Sequence, residues 1–88
     1  MLGGHGVGEE LEVCWKLGPP GYPTTVRLRQ IKPFTTLITT SNSYSGDWEC
    51  FTGYLESSDK PSIQFRIEAV INGVTLDPQI SPEWYVTD

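Results

Sequence analysis

Apolar and polar residues alternate along most of the chain. At residues 11–17, Leu11, Val13, Trp15 and Leu17 are separated by Glu12, Cys14 and Lys16. A period of two marks a strand lying half-buried on a core. Gly18-Pro19-Pro20-Gly21 stops this strand, and Pro23 restricts the start of the next one. A second strand is predicted over 24–31, with Val26 and Leu28 turned in and Arg27 and Arg29 turned out. Pro33 ends it. A third, short or edge strand is predicted over 34–40, where Leu37 and Ile38 are flanked by Thr. Residues 41–47 read as a polar loop.

The fourth predicted strand covers 48–55, with Phe51 and Leu55 on one face and Trp48, Cys50 and Thr52 on the other. A turn comes next, over 57–61. The fifth strand has the most regular alternation: Ile63, Phe65, Ile67 and Ala69 point one way, and Gln64, Arg66 and Glu68 the other. Asn72-Gly73 is a tight-turn signal. Pro78 and Pro82 interrupt the stretch beyond that turn, and 84–87 reads as the last strand. No stretch has helical periodicity. Short strands with turns between them predict an all-β, two-sheet antiparallel sandwich. A small barrel or half of a jelly roll is the alternative. The expected core is Leu11, Val13, Trp15, Val26, Leu28, Phe65, Ile67 and Ala69.

A length of 88 residues allows one domain with a modest core. Residues 1–10 read as a flexible Gly-rich leader or linker, and 11–88 as the domain. The leader lacks the charged and apolar regions of a signal peptide, and the chain is expected to be a piece of something larger. Three Trp, four Tyr and three Phe are large enough to fill a thin core. The net charge of −5, without a basic cluster, argues against nucleic acid and anionic membranes as partners. No apolar run approaches the length that spans a bilayer.

Residues 11–15, Leu-Glu-Val-Cys-Trp, followed by Pro19, resemble the B strand of fibronectin type III domains. Residues 63–70, Ile-Gln-Phe-Arg-Ile-Glu-Ala-Val, are similar to the F strand of that family, with Asn72-Gly73 at the F–G turn. Residues 26–29 are similar to its C strand. The resemblance covers 11–88 and implies an immunoglobulin-like sandwich used for recognition. The sequence departs from the family in three places, one of them Trp48, which is unusual for the E strand. Residues 1–10 replace the Pro-rich first strand, and Phe65 stands where a Tyr is commoner. Cys14-Trp15 with Cys50 is similar to cytokine-receptor ectodomains, and residues 48–88 resemble the last part of meprin-type adhesion modules.

In the arrangement this resemblance implies, Cys14 and Cys50 point off the outer face of neighbouring B and E strands. A disulfide there would close a loop of roughly 35 residues and add about 3–4 kcal/mol in the chain-entropy model. It would suit an extracellular or cell-surface module. Two free thiols in an intracellular scaffold domain are the alternative. Two Cys and one His, with no close Cys pair, match no zinc spacing, and no metal or other cofactor is expected. His5 stands in the Gly-rich leader, away from any acid or nucleophile, and Asp47 with Glu49 reads as a solvated pair. With no acid–base constellation, an enzyme is not expected.

Two regions remain for binding. Arg27, Arg29, Arg66 and Glu68 share a solvent face if their strands pair, forming either a cross-strand ion pair or a protein-binding face. In a fibronectin-type sandwich, Tyr22 in the 19–23 loop and Asn72-Gly73 in the 72–78 loop would sit at the same end, where recognition loops cluster. A protein–protein recognition module of a receptor, adhesion or scaffold protein is the expectation. A carbohydrate-binding module, with Trp48, Tyr54, Trp84 and Tyr85 as a stacking platform, is the alternative.

Overall fold

The computed structural model describes residues 2–88, with side chains from His5 onward. The elements are β1 (Leu2–Gly6), β2 (Glu10–Lys16), β3 (Pro23–Lys32), β4 (Thr36–Tyr44), β5 (Trp48–Tyr54), one 3-10 turn (Ser57–Asp59), β6 (Ser62–Ile71), β7 (Val74–Thr75), β8 (Gln79–Ile80) and β9 (Trp84–Thr87). The fold is all-β. A seven-stranded sheet runs β1-β9-β6-β3-β4, with β7 and β8 also paired to β6. The remaining strands, β2 and β5, form an antiparallel ribbon. No described helix is long and apolar enough to cross a membrane.

Alternation decides which side chains meet. Val26 and Leu28 of β3, Ile63, Phe65 and Ala69 of β6, and Val86 of β9 are buried together with Trp15 of the ribbon and Leu55 just beyond it. Leu11, Val13, Phe51 and Ile67 pack partly buried against this cluster. The ribbon therefore buries its apolar face on one side of the large sheet. Five of the expected core residues are fully buried, and Leu11, Val13 and Ile67 line the edge of the cluster. The burial added by Leu55, Ile63 and Val86 completes the core.

Gln30 and Asp59 are buried and hydrogen-bonded, as burial demands. The Gln30 side-chain amide donates to Asp59 at 2.8 Å and to the Lys32 carbonyl at 3.0 Å. The other Asp59 oxygen accepts from the Glu56 N–H at 2.8 Å. One buried carboxylate thus ties the 3-10 turn to β3.

Three expectations are corrected. Residues 1–10 are not simply a flexible leader: β1 runs parallel to β9, with Val7 N–H donating to the Thr87 carbonyl at 2.8 Å. Met1 lies outside the described residues. On the β1 side this pairing uses backbone groups, so the Gly-rich composition does not oppose it. It also makes the large sheet mixed rather than purely antiparallel. The polar loop expected over 41–47 is mostly strand, since β4 continues to Tyr44. Thr24 shares a hydrogen bond with Ser43 at 3.2 Å, and the Thr25 hydroxyl donates to Asn42 at 2.8 Å. Cross-strand hydroxyl and amide pairs substitute for apolar contacts there. Finally, the Pro-interrupted stretch after Asn72 carries the short strands β7 and β8.

Candidate functional site

The antiparallel register of β3 and β6 sets Arg27 opposite Glu68 and Arg29 opposite Arg66. Residues directly opposite share a face, so every arginine of the chain projects from the sheet surface that faces away from the ribbon. Two like charges side by side are tolerated because Glu68 lies between them. Its carboxylate accepts from Arg29 Nε at 2.7 Å and from Arg66 Nη2 at 2.9 Å. The hydrogen bond from Arg29, with the Arg66 charge adding to it, holds the Glu68 carboxyl below the ordinary glutamate range despite some desolvation. Arg66 Nε is shielded from solvent and has no hydrogen-bond partner among the described residues. Arg27 is exposed and has no ion pair among them.

The same register extends outward. Arg29 faces Leu37 on β4, and Arg66 faces Ile80 on β8. Leu37-Arg29-Arg66-Ile80 is thus one row across four strands, with apolar ends that are 48% and 54% exposed. Tyr44, opposite Pro23 on the same face, is 63% exposed. The domain carries −5 overall, yet this surface combines three arginines with one carboxylate and an apolar rim. Leu37, Tyr44 and Ile80 are additions that sequence reading missed. The bulge in β4 turns Leu37 outward, and no local signal announces it. Tyr44 follows Thr40 and Asn42 at a period of two, a signal available once β4 is known to continue.

A second cluster forms where the loops meet. Pro19, Tyr22, Ile71, Asn72 and Val74 line a shallow notch. Ser45, itself buried, holds the loop that carries Tyr22. Its hydroxyl donates to the Pro19 carbonyl and accepts from the Tyr22 N–H at 3.0 Å. The Asn72 N–H donates to the Pro23 carbonyl at 2.8 Å. Asn72 and Gly73 both have positive φ, at 47° and 80°. They make the tight turn joining Ile71 to Val74 across the β6–β7 pair. Tyr22 and Asn72 are therefore brought together, and Gly73 lies exposed beyond them.

The ribbon shows the opposite surface. Cys14 and Cys50 face each other directly and form a disulfide with a Cα–Cα distance of 4.0 Å. Both sulfurs lie near the Glu12 carboxylate, but bonded to each other they offer no thiolate to a metal. Trp48 and Tyr54 are exposed on this face, and Lys16 Nζ sits 5.9 Å from the centre of the Trp48 ring. Six residues of strand separate these aromatics by roughly 20 Å. The four-aromatic platform is not assembled. Trp84 turns inward beside the core, and Tyr85 projects from the large sheet, away from the ribbon. A period of two within β9 is the reason, since Trp84 and Val86 share the buried face.

Comparison with known protein families, curated proteins and solved structures yields no match.

Proposed function

We propose that this chain is a non-catalytic protein-recognition module, built as a fibronectin type III-like sandwich, that binds an acidic partner through its arginine-bearing sheet face. The strand order supports the architectural part. A ribbon of β2 and β5 lies over a sheet ordered β1-β9-β6-β3-β4, and the chain crosses between the layers after β1, β2, β4 and β5. With β1 and the short β7 and β8 set aside, this order resembles a B-E pair over G-F-C-C′. A receptor, adhesion or scaffold protein is the natural setting for such a module.

The functional part rests on one observation: all the arginines of an acidic domain converge on one face, rimmed by exposed Leu37, Tyr44 and Ile80. Arginine and large apolar groups are the residues that dominate binding energy at interfaces. Arg29 and Arg66 are held in place by Glu68, which lowers the entropy lost when they bind. Arg27 is left to meet a carboxylate of the partner.

The test compares proteins captured by the wild-type domain, by Arg27→Glu, and by Lys16→Glu on the opposite face. Partners retained by Lys16→Glu and lost by Arg27→Glu are expected. A partner set that both variants keep would overturn this reading.

A further inference from the structure

β4 is an edge of the seven-stranded sheet and pairs with β3 alone among the described residues. Half of its backbone N–H and C=O groups therefore point away from β3. Edges are ordinarily guarded by Lys, Pro or a covering loop. The nine residues of β4, Thr-Leu-Ile-Thr-Thr-Ser-Asn-Ser-Tyr, contain neither a charge nor a Pro. Their one irregularity is the bulge near Ile38, and from Thr39 to Tyr44 the strand pairs regularly with β3.

Beside this edge the two layers part. Ser41 donates to Glu49 of β5 and closes one end of the seam. Toward the other end a cleft of about 200 Å³ opens, walled by Ile38, Phe51 and Gly53, with Leu55, Ile63 and Phe65 behind them. The lining is mostly apolar, with Gln30, Glu56 and Asp59 as its polar part, so it suits a large apolar side chain rather than an acidic one. On the opposite face Arg27 lies one strand in from the edge, opposite Thr40 on β4 and Glu68 on β6, without an ion pair among the described residues.

Edge, cleft and cation are all within reach of one added strand. We infer that β4 receives an extended acidic segment of a protein partner by strand addition. The segment's backbone pairs with the open edge of β4. Its apolar side chains, at alternate positions, enter the cleft beside Ile38. Its acidic side chains, on the other face, approach Arg27 across about 9–10 Å of strand spacing, a span that an extended Arg and Glu cover together. A second copy of this chain fits less well. Antiparallel β4–β4 pairing would place two arginine faces side by side in one continuous sheet, with like charges opposed. The inference rests on the reading of the arginine face and names the form its partner takes.

The experiment uses fluorescent peptides of roughly six residues that alternate Glu with Val, Leu or Phe, and Lys-for-Glu counterparts. Binding is followed by anisotropy and by amide shifts in the folded domain. Each binding peptide is also N-methylated on one or the other set of alternate amides. Strand addition predicts shifts along β4, preference for Glu over Lys, and reversal of that preference in Arg27→Glu. It also predicts about tenfold weaker binding when one methylated set is used and little change with the other. Charge-selective binding that tolerates both methylations would overturn strand addition and leave the arginine-face reading standing. Binding that ignores Arg27→Glu would overturn both. Failure of every alternating peptide to bind would overturn strand addition, as would concentration-dependent shifts of β4 without peptide, which would assign the edge to a second copy.

Discussion

Gly46 offers a quantitative test of how the loop end is built. It lies between β4 and β5 with φ of 96°, a region that side chains other than glycine rarely adopt. A Cβ at this position would sit 2.5 Å from Cβ of Pro20 and 2.8 Å from its Cα. The backbone of Pro20 cannot swing aside as a flexible side chain can. The loop would have to shift, loosening the Ser45 bonds to Pro19 and Tyr22. Gly21, in the same region, has φ of 91° and nothing within 4 Å of an added Cβ. Gly21→Ala and Gly46→Ala thus share the backbone strain, about 1–2 kcal/mol, and the reduced entropy of the unfolded chain. Gly46→Ala adds the overpacking, about 1–3 kcal/mol more. Each kcal/mol lowers Tm by roughly 4–8 °C in a domain of this size. Calorimetric melts of both variants should place Gly46→Ala at least roughly 4 °C below Gly21→Ala. Equal melting temperatures would refute the close packing of the two loops.

Other consequences are open to direct measurement. Trp15→Ala removes the ribbon's main contribution to the core and should cost about 3–5 kcal/mol, enough to abolish the cooperative melt seen by circular dichroism. Reducing the Cys14–Cys50 bond, which closes a separation of 36 residues, should lower stability by about 4 kcal/mol in the chain-entropy model, read as a fall in the urea midpoint. Glu68 has a depressed folded pKa, so its contribution is present above the ordinary glutamate pKa and is lost as pH falls through the lower folded value. Urea midpoints taken against pH should decline less steeply in the acid range for Glu68→Gln than for wild type.

Much of the fold could be read from the alternation of residues. In β2 and β6 apolar residues recur at every second position and mark the buried face, whereas only Val26 and Leu28 mark it in β3 and Phe51 in β5. The arginine face was legible for the same reason: Arg27, Arg29 and Arg66 occupy the alternate positions between Val26, Leu28, Phe65 and Ile67. The turns at 18–21 and 72–73 were legible too, because Gly-Pro and Asn-Gly signals mark turns by their backbone preferences. The elements that escaped are held by groups that leave no apolar trace. β1 is joined to β9 through its backbone, and glycines carry no pattern. The far half of β4 is joined to β3 through Ser, Thr and Asn side chains that look like a loop in sequence. The inward turn of Trp84 left no trace in sequence, since it follows from sharing the buried face of β9 with Val86.

Hydroxyl-radical footprinting of the domain, free and bound to a partner captured by the wild-type protein, bears most directly on the recognition face. Exposed apolar side chains on the two surfaces serve as reporters: Leu37, Tyr44 and Ile80 on the arginine face, Trp48 and Tyr54 on the ribbon. Protection of Leu37, Tyr44 and Ile80, with Trp48 and Tyr54 oxidised as in the free domain, is the predicted result. Protection of Trp48 and Tyr54, with the arginine face unchanged, would contradict it.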